Sequence, residues 1–216
     1  MGITHQDKYE VLFMITSDNF PVSIATLLQQ LEQKKRAFIH LVEAIGLDLK
    51  QVQIDHLALR TNHQSQADKW RAVFCQNAKI LSQNQVNGRP IYLFKLDQAI
   101  DFCQQLIDIV ELPYPNDKTY PEEGWEHFEV VLPFLPDETI FEWQQRIDTL
   151  FQLTEKEYLC FKVSQPKVMG EQLPNPSIAI RFNPLTIEKS KFKQGADLNL
   201  CIKIHPYSIE QVVQAE

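Results

Sequence analysis

At 216 residues the chain is long enough for one large domain or two small ones, and its 44% apolar content can fill a packed core, which excludes disorder over most of it. With 21 Lys+Arg against 28 Asp+Glu the formal charge is -7, so the molecule as a whole repels phosphate backbones and nucleic acid is not an expected partner. No apolar run nears the ~20 residues that cross a bilayer, and the stretch at 11–15 lacks the basic start, longer apolar middle and small-residue cleavage site of a signal peptide.

In chain order, residues 1–18 carry no clear pattern. Residues 21–45 place Ile24, Leu27, Leu28, Leu31, Phe38, Leu41, Val42 and Ile45 at helical spacing, with Pro21 suited to a first turn and Gly46 to a C-terminal cap. Lys34, Lys35 and Arg36 read as its solvated face. Residues 52–60 alternate as a strand with Val52, Ile54, His56, Ala58 and Arg60 on one side. Ser65 is the expected cap of a helix through Ala67, Trp70, Val73 and Phe74. Strand-like runs follow at 79–81 and 90–96, joined across Asn87-Gly88. Residues 98–106 read as helical or irregular before a strand at 107–112, and Pro113, Pro115, Asn116 and Asp117 make a turn-rich boundary.

The plan then recurs. Residues 125–132 read as a strand containing His127, and Asp137 is the expected cap of a helix through Ile140, Trp143, Ile147 and Leu150. Strands are expected at 158–163, 177–182 and 198–205, and Ser208 with Gln211 forms a capping box for a short last helix. The fold class expected is α+β, with an N-terminal arm and helix (1–50) before two βαβββ modules (51–116 and 117–216) in one compact domain.

Four cysteines, Cys75, Cys103, Cys160 and Cys201, form no CxxC pair, so reduced, buried thiols in a reducing cytosol are expected. Six glycines with no glycine-rich loop argue against a nucleotide-phosphate site, and neither GxSxG nor HExxH occurs. Of the six histidines, His5, His40 and His63 fall in loops or on the helix, where an imidazole is usually solvated or locally bonded. His56, His127 and His205 lie in strand segments, from which side chains can converge on one cleft to bind a divalent metal. Glu111, in an otherwise apolar strand end, is either an edge glutamate facing water or a ligand neutralised by metal. Glu129 shares a strand face with His127 and is either a ligand or a partner orienting it. Arg60, Arg89 and Lys95 are either surface chains or a clamp for a substrate acid group.

The strings Asp55-His56-Leu57-Ala58-Leu59-Arg60, Asn87-Gly88-Arg89-Pro90, Leu93-Phe94-Lys95-Leu96, Val110-Glu111-Leu112-Pro113, Tyr120-Pro121 with Glu123-Gly124-Trp125-Glu126-His127, Leu173-Pro174-Asn175-Pro176 and Ile204-His205-Pro206 resemble, in this order, the bacterial YecM family over about residues 20–214. That family is similar to the vicinal oxygen chelate superfamily, in which glyoxalases and extradiol dioxygenases pair βαβββ modules around a metal cleft. The resemblance implies that His56 and His127 face a shared cleft and that Glu111 closes the first module. The superfamily's usual carboxylate on the last strand is absent, and Cys201, Lys203 and His205 stand there instead. That leaves His205 or Glu129 as the fourth group or as a catalytic base, or else a two-histidine, one-carboxylate site with positions open to water or substrate.

The leading expectation is a cytoplasmic protein holding one divalent ion (Zn, Ni, Fe, Mn or Co) at His56, Glu111 and His127. It would act as an isomerase or oxidoreductase on a small oxygenated substrate oriented by Arg60, Arg89 and Lys95. The alternatives are a non-catalytic binder of a small ligand or metal in the same cleft, and a scaffold whose N-terminal helix docks a partner. No membrane association is expected, and association into homo-oligomers is left open.

Overall fold

A computed structural model describes residues 23–86, 88–165 and 173–215; Pro21, the first 18 residues and Asn87 lie outside the described residues. The first helix, α1 (Ile24–Ile45), starts where Ser23 accepts the Thr26 N–H and ends at Gly46, whose φ of 79° is the left-handed conformation that glycine adopts without strain. Its apolar stripe is buried, with Phe38 packed at ring-centroid distances of 5.7 and 5.4 Å from Phe102 and Phe128. The Trp125 indole donates to Leu27 O at 2.7 Å. This face is part of the core, which removes the expectation of a helix free to dock a partner. Lys34 bridges to Glu122 and Asp197 rather than facing water alone.

Then come β1 (Gln53–Arg60), α2 (Gln64–Cys75), β2 (Ala78–Val86), β3 (Arg89–Phe102), β4 (Gln105–Pro113), β5 (Gly124–Val131), α3 (Ile140–Phe151), β6 (Leu159–Ser164), β7 (Ser177–Phe182), β8 (Cys201–His205) and α4 (Ile209–Gln214). Among the described residues all eight strands form one sheet in the order β2-β3-β4-β1-β5-β8-β7-β6. The chain thus runs strand, helix, three strands, and then repeats that order. In each unit the first strand lies parallel to the last, β1 with β4 and β5 with β8, and the two first strands meet antiparallel at the centre.

The register around that central pair is two-fold symmetric. His56 pairs with Glu129 and Ala58 with His127, on either side of the Leu57–Phe128 pair. On the flanks, Ala58 pairs with Glu111 and, in the matching place, Glu129 pairs with Lys203. Two bulges obey the same symmetry: the ladder steps from Ile54 to His56, leaving Asp55 extra, and from Trp125 to His127 on the other strand, leaving Glu126 extra. A bulge bends its strand and locally re-aims side chains, so each extra acid can turn toward the histidine after it.

Several local expectations are corrected. The helix after β1 is capped at His63 with no side-chain bond, so Ser65 lies inside it. Thr139, not Asp137, caps α3 in a reciprocal box with Glu142, while Asp137 adopts a φ of 60° in the preceding turn. Residues 98–106 are strand: β3 runs on to Phe102 and turns into β4 through Cys103 and Gln104, both at positive φ, as in a two-residue hairpin turn. The last strand begins at Cys201 rather than Leu198. Ser208 and Gln211 do form the box that starts α4. All four thiols are free, but only Cys201 is buried, and Cys75 is exposed.

Candidate metal centre

Leu57, Leu59, Phe128 and Val130 belong to the apolar core, and the strand alternation sends their neighbours to the other face. There a cavity of about 230 Å³ takes lining residues from every strand, among them Arg60, Arg89, Glu111, Glu129, Lys203 and His205. Of the residue types that ligate metals, Glu111, Glu129 and His205 line the cavity, and His56 and His127 are buried beside Glu129.

His56, His127 and Glu129 offer one ligand atom each within 4.8 Å of one another, and all three residues are buried. Glu129 is the hub. Its Oε2 lies 3.5 Å from His56 Nε2 and 2.8 Å from His205 Nε2, and its Oε1 lies 3.2 Å from His127 Nε2 and 2.8 Å from Lys203 Nζ. Despite these approaches, none of the three Nε2 atoms meets a partner in hydrogen-bonding geometry, and all three are buried. A buried imidazole nitrogen left unpaired is costly unless something else occupies its lone pair.

The opposite ring nitrogens are engaged. His56 Nδ1 bonds to Asp55 Oδ2 at 2.8 Å, His127 Nδ1 bonds to Glu126 Oε2, and His205 Nδ1 lies 3.2 Å from Asn175 Oδ1. An ionised carboxylate only accepts, so Nδ1 carries a proton on His56 and His127, and whenever either ring is neutral its lone pair lies at Nε2. Carboxylate, imidazole and metal in line is the arrangement that orients a histidine ligand and raises its basicity. Each of the two histidines therefore has its own supporting acid, supplied by the residue before it through the symmetric bulges.

The electrostatics show a site strained by charge. Burial would push His56 down, but the Glu129 charge, the hydrogen bond and charge of Asp55, and the Glu111 charge outweigh it and raise its pKa to about 9. Burial would push Glu129 up, yet His205, Lys203 and His56 hold it well below the usual carboxylate range. Glu111 is likewise held down against burial, chiefly by Lys203 and His127. Glu126 is depressed against burial by His127 and by Arg60, whose Nη2 donates to it at 2.7 Å.

The two histidines expected from the sequence come together, and Glu129 rather than Glu111 completes the compact set. Glu111 stands beside it, its Oε1 3.8 Å from His127 Nε2. Lys203 occupies the place that the symmetry makes equivalent to Glu111, and Glu129 lies opposite it on the adjacent strand. His205, Arg60 and Arg89 line the cavity; Lys95 does not, being held in ion pairs with Asp108 and Glu210 at 2.9 and 2.8 Å. Burial pushes the Cys201 thiol up to about 12, and it is not part of the compact group formed by His56, His127 and Glu129. Lys203, expected on the polar face of the last strand, does line the cavity, whereas no role was read from the sequence for Asp55 or Glu126. The recurrence of an acid directly before each histidine, Asp55-His56 and Glu126-His127, was the available signal, but plain alternation puts adjacent residues on opposite faces.

The model of the family described as YecM protein matches residues 23–216. The chain belongs to the YecM family. An uncharacterised protein of Haemophilus influenzae is 44% identical over 197 residues, covering 91% of this chain and 96% of that one. Protein YecM of Escherichia coli K12 is 36% identical over 197 residues, covering 88% and 94%. A solved structure titled "Structural Genomics, Protein EC4020" superposes with a TM-score of 0.69 at 34% identity, covering 89% of this chain and 92% of that one. For this YecM-family chain, no helix among the described residues is long and apolar enough to cross a membrane.

Proposed function

We propose that this YecM-family protein binds one divalent metal ion through His56, His127 and Glu129, with Glu111 and His205 at the margin of the site, in a cleft like that of the vicinal oxygen chelate superfamily. The reading extends to a metal-dependent isomerase or oxidoreductase acting on a small oxygenated organic substrate. The observation that carries it is the set of buried Nε2 atoms without hydrogen-bond partners around one carboxylate, each with its Nδ1 already engaged. The mixed donor set of imidazole and carboxylate suits Zn, Ni, Fe, Mn or Co. A bound divalent cation would supply Lewis-acid polarisation of ligand oxygens.

Asp55 and Glu126 fix the tautomers of the ligand histidines. Lys203 neutralises Glu129 while the site is empty and, once Glu129 is committed to an ion, is left as a cation facing the cavity. His205, bonded on its Nδ1 side to Asn175, is the group placed to take or give a proton at the cavity wall.

A second reading, binding without turnover, draws on Lys203: the position equivalent to Glu111 is a cation, so the site lacks the second flanking carboxylate. Metal analysis of protein purified without chelator, alongside His56→Ala and His127→Ala, tests the shared claim. The expected result is near-stoichiometric metal in the parent and its loss in both variants; equal content in all three overturns it. Incubating the loaded protein with a metabolite pool then separates the readings, since new products require the enzyme.

A further inference from the structure

The polar groups of the cavity do not balance once the metal site is filled. Arg60 is paired with Glu126, and Lys203 with Glu129. Arg89 also lines the cavity, and among the described residues its side chain makes no ion pair and donates to the Tyr114 carbonyl at 3.3 Å. The guanidinium is held below its ordinary pKa by burial and then by the like charge of Arg60, so the two cations feel one another. Arg60 is only 8% exposed, and its Nε is buried without a partner. A divalent ion would be matched in charge by Glu111 and Glu129, which releases Lys203 from its pairing. The filled site then sets two cations, Arg89 and Lys203, against one remaining carboxylate, that of Asp55, which is turned to His56, and leaves an unsatisfied donor on Arg60.

We propose that the cavity takes a small organic acid whose carboxylate is held by Arg89 with Arg60, and whose short hydrocarbon part lies against Ile91, Leu93 and Val212. A planar guanidinium fork matches a carboxylate in two parallel hydrogen bonds, which an amide or alcohol cannot reproduce. The volume of about 230 Å³ lies below the ~300–1,000 Å³ of sites for drug-sized ligands, which limits the acid to a few carbons. The proposal rests on the metal reading only in that the other oxygens of the acid would lie toward His56 and His127; the arginine clamp stands without the ion.

The test compares 2-oxobutanoate with its neutral amide, 2-oxobutanamide, by calorimetric titration into the full chain, both metal-free and loaded with Co²⁺. Uptake of Co²⁺ is measured separately on the same protein. The expected result is acid binding at least ~10-fold tighter than amide binding in both states. Arg89→Gln should reduce that preference to within about twofold, and Arg89→Lys should retain part of it because charge survives while the fork is lost. Melting curves of both variants establish that each is folded. Equal affinity for acid and amide, or a preference that survives Arg89→Gln, overturns the proposal. Failure of Co²⁺ uptake would overturn the metal reading instead, and the acid–amide comparison on metal-free protein would still decide this one.

Discussion

Loading a divalent ion at neutral pH must expel a proton from His56. The charges of Glu129, Asp55 and Glu111 raise this imidazole to about 9 in the metal-free protein, so two units lower it is almost fully protonated. A protonated Nε2 has no lone pair to donate. Removing that proton at pH 7 weakens apparent metal affinity by roughly 100-fold, or ~2.7 kcal/mol, relative to pH well above 9. Two measurements follow. Calorimetric titrations of metal into the metal-free protein at pH 7, in buffers of different ionisation enthalpy, should show release of at least one proton per ion. Repeated at rising pH, apparent affinity should climb about tenfold per unit and level off past about 9, with the His56 proton no longer released there. Binding at pH 7 with no proton release, or an affinity flat between pH 7 and 9, would mean that His56 is not a ligand.

Other perturbations probe separate parts of the structure. In the metal-free protein His56 should stabilise the fold below its ordinary 6.5, and this contribution, about 3 kcal/mol, should disappear as pH rises from 6.5 through about 9; chemical denaturation at pH 7 and 9.5 reads the loss, and unchanged stability would count against a charged, buried His56. Asp55 Oδ2 accepts from both His56 Nδ1 and the Ile209 N–H, at 2.8 and 2.9 Å, so Asp55→Asn should lower metal affinity ~10–100-fold and expose α4 to proteolysis; metal titration and limited digestion check both. Glu129→Gln should abolish metal uptake and also destabilise the metal-free protein by ~3–5 kcal/mol, because Lys203 loses its closest carboxylate; a stable variant that still binds metal would remove Glu129 from the set. Phe38→Ala should cost ~3–5 kcal/mol of unfolding free energy if α1 is core, against under ~1 kcal/mol for a helix that packs on nothing.

Much of this architecture was legible because hydrophobic period is local. The stripe of α1, the alternation in β1 and β5, and the Ser208–Gln211 box are each written within a few residues. The β3–β4 hairpin was not, because its turn residues, Cys103 and Gln104, take positive φ without the glycine or asparagine that announces it. Ser65 and Asp137 misled for a related reason: a capping residue type says that a helix can begin there, not that it does, and His63 and Thr139 took the positions instead. At the site, the histidines could be found from the strand pattern alone, and the family resemblance brought them into one cleft. The hub role of Glu129 depends on register: it becomes visible only when β5 is laid against β1 and β8, which puts it opposite both His56 and Lys203. The supporting acids depend on two bulges, and a bulge leaves no mark in a period-two pattern.

The most direct measurement is anomalous diffraction at the absorption edge of the metal from crystals of metal-loaded protein. One strong peak is expected, within ~2.0–2.2 Å of His56 Nε2, His127 Nε2 and a Glu129 oxygen. Full metal loading with the peak elsewhere, or with none among these three side chains, would contradict the account.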